Sequence, residues 1–256
     1  MKRVIECAVN KDEAIPMVLA EANPPSDRIV LLCHGFMSSK ASSTNLLLTK
    51  RLLAEGIATA RFDFYGHGDD KRPFQDLTLT RCLQQTDVVL SKIVALGYRK
   101  IGLLGSSYGG LVAILTAAGH PEIGALALKC PVSDYPPIWR TLLGEAGMAA
   151  WRSDGVLTFA TPEGRARLGY PFYEDLLKYD AYQGAQSIQV PTLIIHGDAD
   201  MDVPFEQSER LFETLSSEKV FEPIKDADHT FTKEADFNRM TDLIFNWFIQ
   251  YLNSSS

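Results

Sequence analysis

Gly105-Ser106-Ser107-Tyr108-Gly109 is a G-x-S-x-G lying between a buried strand-like run, residues 100–105, and an apolar helical run, residues 108–118. That strand–turn–helix context makes such a motif a nucleophile elbow. A strand that turns at once into a helix brings the residues two before and two after the nucleophile almost together. Only small side chains fit there, and the nucleophile is held in strained backbone geometry. The turn lifts the Ser107 hydroxyl clear of the sheet, at a helix N-terminus whose dipole favours developing negative charge. Ser106 is the local rival, but it lacks glycines at both flanking positions.

A serine hydroxyl is a poor nucleophile until a base takes its proton. Five histidines are available: His34, His67, His120, His196 and His229. His120 lies between Gly119 and Pro121 and reads as a helix end at the surface. His34 and His67 sit beside glycines after strands and read as shapers of turns around a pocket. His196 closes a strand before Gly197, which suits a structural hydrogen bond. His229 lies in a polar loop, Asp226–Phe231 in sequence, after the last strand and before the last helix, so it can reach back over the sheet edge toward Ser107. It is the expected base.

The acid must orient the imidazole and stabilise its cation. Asp198, Asp200 and Asp202 all follow the strand at 190–196. Asp200 occupies the tip of the turn and is the expected acid; Asp198 and Asp202 read as turn caps or solvent-facing groups. The D-x-D-x-D spacing looks like the start of a calcium loop, but Val203 stands where such a loop needs glycine. An oxyanion needs fixed N–H donors. Tyr108, directly after the nucleophile, supplies one; Phe36, in the early loop His34-Gly35-Phe36-Met37, is the natural second.

These groups need a frame. Residues 4–9 and 16–22 read as an opening hairpin. Short apolar runs at 28–33, 57–64, 100–105, 123–132, 190–196 and 219–224 suit strands buried on both faces. Helical spacing appears at 45–54, 79–96, 108–118 and 205–215, and in a C-terminal helix marked by Phe237, Met240, Ile244, Trp247 and Tyr251. Strand–helix alternation implies a mostly parallel sheet with helices on both faces. Residues 133–182 break the rhythm. They show no clear strand and contain nine aromatics from Tyr135 to Tyr182. So long a structureless loop is improbable in a compact domain, so the segment reads as a helical cap. The closing three serines read as a frayed tail.

Composition bounds the rest. The 256 residues are 46% apolar and 22% charged with net charge −7, suited to one large domain and unsuited to nucleic acid, which needs a basic face. No window approaches a membrane span, and the N-terminus lacks the apolar core of an export signal. Cys7, Cys33, Cys82 and Cys130 form no C-x-x-C pair and read as buried thiols in a reducing compartment, which makes the expected location cytoplasmic. No phosphate-binding loop occurs. Neither metal nor cofactor is expected.

His34-Gly35-Phe36, Gly66-His67-Gly68, the Ser107 elbow, His196-Gly197-x-x-Asp200-x-x-Val203-Pro204 and Asp228-His229 together resemble the α/β-hydrolase superfamily, in its order and across nearly the whole chain. The resemblance implies an α/β-hydrolase fold: a mostly parallel eight-stranded sheet in a single domain over 1–256, with a cap inserted at about 133–182. Within it, the length and cap are similar to small cinnamoyl and feruloyl esterases and related carboxylesterases. That likeness implies a triad of Ser107, Asp200 and His229 and an apolar or aromatic acyl pocket under the cap. The expected partner is a small-molecule ester; a homodimer stays compatible with the sequence. Ser107-Tyr108-Gly109-Gly110 also resembles the prolyl oligopeptidase family, so a peptidase or aminoacyl hydrolase is the rival reading, beside thioesterases and perhydrolases with the same triad. A non-catalytic binding module on this fold is disfavoured because all three triad candidates are present.

Overall fold

The structure, a computed structural model, describes residues 1–10, 13–161 and 164–253; the closing serines lie outside them. Two strands, β1 (Lys2–Ala8) and β2 (Ala14–Ala20), pair antiparallel, Lys2 against Ala20, as the expected hairpin. β2 pairs antiparallel with β4 (Ala58–Arg61). From there the sheet is parallel through β3 (Arg28–Cys33), β5 (Lys100–Ser106), β6 (Ile123–Lys129), β9 (Thr192–Gly197) and β10 (Lys219–Ile224). The order is β1-β2-β4-β3-β5-β6-β9-β10, so eight strands form the main sheet.

The continuous apolar runs are explained by burial on both faces. Ile29 and Leu31 of β3 belong to one apolar cluster and Val30 and Leu32 to another, as alternation along a strand requires. α1 (Ser43–Ala54) and α8 (Glu234–Asn253) cover the second cluster with Leu48, Leu52, Ile244 and Phe248. α2 (Leu79–Ala95) and α3 (Tyr108–Gly119) cover the first with Val89, Ile93, Val112 and Ile114. Ser42 and Thr78 cap α1 and α2 by accepting from the N–H of Asn45 and Arg81. All four cysteines are free and buried.

Between β6 and β9 the chain departs from the expectation of a purely helical cap. α4 (Tyr135–Asp154) is followed by an antiparallel hairpin, β7 (Val156–Thr161) and β8 (Gly164–Gly169), then by short helices α5 (Tyr170–Leu176) and α6 (Ala181–Ala185). The hairpin escapes a search for buried strands because its strands are mostly half-exposed. Arg165 and Arg167 are exposed, and only Leu168 and Gly169 are buried. Trp151 holds the insertion together. It is 1% exposed, and its Nε1–H donates to the Leu168 carbonyl at 3.0 Å, tying α4 to β8. α7 (Phe205–Thr214) packs beside β9 and β10.

Candidate active site

Ser107 sits between β5 and α3 with φ 53° and ψ −117°, a left-handed conformation that a non-glycine residue adopts only under constraint. The constraint is visible. Its N–H donates to the Lys129 carbonyl, and its own carbonyl accepts from Gly110 and Val132. The flanking glycines are steric necessities: a Cβ on Gly109 would lie 2.3 Å from the His34 carbonyl oxygen, and one on Gly105 would lie 2.4 Å from the Gly109 carbonyl oxygen. The hydroxyl emerges half-buried at the carboxyl end of the sheet.

There it meets the two groups expected from the sequence. Ser107 Oγ is 2.9 Å from His229 Nε2, and His229 Nδ1 is 2.6 Å from Asp200 Oδ2. The carboxylate only accepts, so Nδ1 carries the proton and Nε2 offers its lone pair to the hydroxyl. The loops after β9 and β10 are drawn together by backbone bonds: Asp198 N–H to the Ile224 carbonyl, and Ala199 N–H to the Ala227 carbonyl. Gly197 permits this approach, since a Cβ there would stand 2.2 Å from the Ala227 carbonyl oxygen.

Asp200 is buried and fully engaged. Oδ1 accepts the backbone N–H of Asp202 and of Val203. Oδ2 faces both His229 and His196, the latter at 3.0 Å. Burial by itself would raise this carboxyl; the hydrogen bonds from His196 and His229 outweigh it and hold Asp200 far below the usual carboxylate range. The structural bond expected of His196 thus lands on the carboxylate that supports His229, a partner the sequence does not name. Asp198 accepts from the Asp226 N–H, as a turn-capping group should. Among the described residues the three aspartates form no ligand cluster. Among the described residues, the one set of metal-ligand dimensions is Cys130, Asp200 and His229. Burial pushes the Cys130 thiol up to about 12, so it stays protonated, and the other two are already bonded to each other.

Opposite the base lies the loop after β3. A Cβ on Gly35 would be 3.3 Å from that of Ser107, so the Phe36 amide follows directly on the serine's neighbour. The Phe36 N–H donates to no carbonyl among the described residues. Tyr108 is the first residue of α3, so its N–H has no intrahelical acceptor. His34 fixes the loop. Burial pushes its imidazole down to about 3, and the neutral ring accepts the Phe64 N–H at Nε2 while Nδ1 donates to the Gly35 carbonyl. Buried Asp63, which sequence reasoning does not single out, accepts from the backbone N–H groups of Lys40 and Asp69 and pairs with the Lys40 ammonium, joining the loops after β3 and β4.

The cap closes over this corner with aromatic rings. Phe36 packs against Tyr108, Tyr135, Trp139, Phe159 and Phe172 at centroid separations of 5.8–6.4 Å. Trp139 is buried, and its indole N–H has no partner among the described residues. A groove of about 790 Å³ runs beside the Met37–Ser39 stretch and the β8 edge without including Ser107.

Residues 30–238 match the family model described as the alpha/beta hydrolase family. Two relatives are the uncharacterized protein YfhR of Salmonella typhi, 26% identical over 80% of this chain and 66% of that protein, and monoacylglycerol lipase abhd6-A of Xenopus laevis, 25% identical over 78% and 57%. The chain thus spans less than two thirds of either relative. Among solved structures, Est1E from Butyrivibrio proteoclasticus with ferulic acid bound superposes with a TM-score of 0.84 at 22% identity, covering 98% of this chain and 100% of that one. The esterase domain of a Rhodothermus marinus protein gives 0.75 at 20%, covering 99% and 100%. At these identities the likeness is one of fold.

Proposed function

Because this chain belongs to the alpha/beta hydrolase family, we propose that it is a serine hydrolase of carboxylic esters, working through an acyl-enzyme on Ser107. The observation that carries this is the continuous relay from Ser107 Oγ through His229 to Asp200, with bonds of 2.9 and 2.6 Å. Ser107 attacks the ester carbonyl while His229 Nε2 takes its proton. Asp200, kept ionised, steadies the imidazolium. The N–H groups of Phe36 and Tyr108 receive the oxyanion, two fixed dipoles aimed at charge that appears only in the transition state. His229 then gives its proton to the leaving alcohol, and water releases the acid by the same steps in reverse.

The acyl group assigned to this site is aromatic. The rings gathered around Phe36 form a wall suited to a flat apolar group, and the Trp139 indole N–H is a buried donor that an oxygen on such a group would satisfy. The ferulic acid bound by Est1E, a protein of the same fold, supports the same direction. The test is a panel of p-nitrophenyl butyrate, methyl ferulate and aminoacyl naphthylamides, run with the native protein and with Ser107→Ala. Ester turnover that requires Ser107 and exceeds amide turnover supports the reading. Amide cleavage rivalling ester cleavage replaces it with a peptidase, and full turnover by Ser107→Ala removes it.

A further inference from the structure

Asp200 carries a second imidazole. His196, fully buried on β9, places Nε2 3.0 Å from Asp200 Oδ2 and 3.2 Å from the Val203 carbonyl oxygen. Both of those atoms only accept, so Nε2 bears the proton. The other nitrogen, Nδ1, faces the hydroxyl of Ser208 at 2.6 Å, which donates to it. Ser208 is itself completely buried on α7. The bonds therefore run without a gap from Ser208 through His196, Asp200 and His229 to Ser107, and each link is 3.0 Å or shorter.

Resting on the serine hydrolase reading above, we propose that His196, oriented by Ser208, is a positioning residue for the reaction. It takes one of the four N–H bonds that fix the Asp200 carboxylate, and it shares with His229 the oxygen on which the base depends. Two consequences follow from this sharing. The carboxylate cannot rotate, because Oδ1 is held by the Asp202 and Val203 amides and Oδ2 by two imidazoles. Its charge on Oδ2 is also divided, so its pull on the His229 proton is moderated. The other titratable or charged groups around the pair are Cys130 and Lys129 from the end of β6, and Asp228 beside His229 on the loop after β10. Asp202 follows on the β9 loop. The edge of the Phe205 ring packs on His196 from the α7 side at 5.5 Å. The thiol and the ring are weak or apolar partners, so neither replaces an imidazole N–H.

The experiment is the pH profile of kcat/KM, with kcat and KM separated, for His196→Leu, His196→Gln and Ser208→Ala on a neutral aryl ester. Loss of a hydrogen bond to a charged group should lower kcat of His196→Leu about 10–100-fold, with KM within about twofold. Its acid limb should move to higher pH, because an undivided carboxylate holds the proton on His229 more firmly. His196→Gln keeps an N–H at that reach and should restore the native limb. Ser208→Ala should shift the limb in the same direction by a smaller amount, and it decides the matter if His196→Leu does not fold. An acid limb that stays in place for both folded variants, or an effect confined to KM, overturns the proposal. Ser107→Ala in the same assay separates the two claims: retained turnover sinks the serine reading, whereas lost turnover with an unmoved limb sinks this inference alone.

Discussion

At the scale of single residues, the site is a set of groups each held by a neighbour with a physical reason to be there. Ser107 is perched at positive φ because three backbone bonds hold it, and the imidazole beside it has its tautomer set by an ionised, buried carboxylate. Under the proposed serine mechanism the three relay residues act as one unit, so removing one forfeits most of the chemistry. Ser107→Ala should lower kcat by on the order of 10⁶, leaving only oxyanion-hole and binding effects. Asp200→Asn should cost about 10⁴ in kcat with the fold intact, because the amide favours the wrong tautomer of His229. Both follow from steady-state kinetics on p-nitrophenyl butyrate, with far-UV circular dichroism as the folding control. The residues of this relay were legible because the chemistry demands specific types in a specific order. His196 was legible only as a hydrogen-bonding group, because nothing in the local sequence says which acceptor its ring will meet. Asp63 left no signal at all, since its partners are backbone amides of two loops that only folding brings together.

At the scale of elements, the strands of the main sheet were readable where burial on both faces leaves continuous apolar runs. β5, β6 and β9 lie within a few residues of their expected bounds, and β10 coincides with them. The cap hairpin was not readable for the opposite reason. Its strands are mostly half-exposed or exposed: β7 has no buried residue, and β8 alternates arginine with alanine and leucine, a pattern that hydrophobic periodicity does not separate from a polar loop. What fixes them lies elsewhere, in Trp151 on α4 and its bond to Leu168. Trp151→Ala should destabilise the protein by about 3–5 kcal/mol, the range for deleting a large buried aromatic. Trp151→Phe should lose mainly the hydrogen bond, about 1 kcal/mol. Urea titration of the two variants tests the ranking. Equal stability of Trp151→Ala and the native chain would mean the hairpin is held by something other than this contact.

At the scale of the whole molecule, the sheet brings distant segments to one edge. Phe36 follows β3, Ser107 follows β5, Asp200 follows β9 and His229 follows β10, so parallel strands deliver all four to the same carboxyl end. Strand–helix alternation in the sequence makes that edge foreseeable, because parallel strands end on the same side of the sheet. One long-range contact away from the site should also tune stability with pH. His120, at the end of α3, places Nε2 3.1 Å from Asp87 on α2 and Nδ1 2.8 Å from Glu122. The Asp87 bond is the chief cause raising this imidazole from 6.5 to about 9. A raised histidine stabilises the fold fully below its unfolded value and loses that contribution as pH climbs through the folded one. The benefit should therefore be present below about pH 6.5 and fade by about pH 9. Partial exposure reduces it to about 1 kcal/mol or less. Chemical denaturation of His120→Ala at pH 6 and at pH 9.5 should show a deficit only at the lower pH; an equal deficit at both would assign the loss to packing instead.

The most direct measurement of the central claim is peptide-mapped mass spectrometry of the native protein after reaction with a fluorophosphonate. A covalent adduct on Ser107, absent after Asp200→Asn has disabled the base within the same reaction time, is the predicted result. A folded protein that remains unlabelled, or one labelled at a different serine, contradicts it.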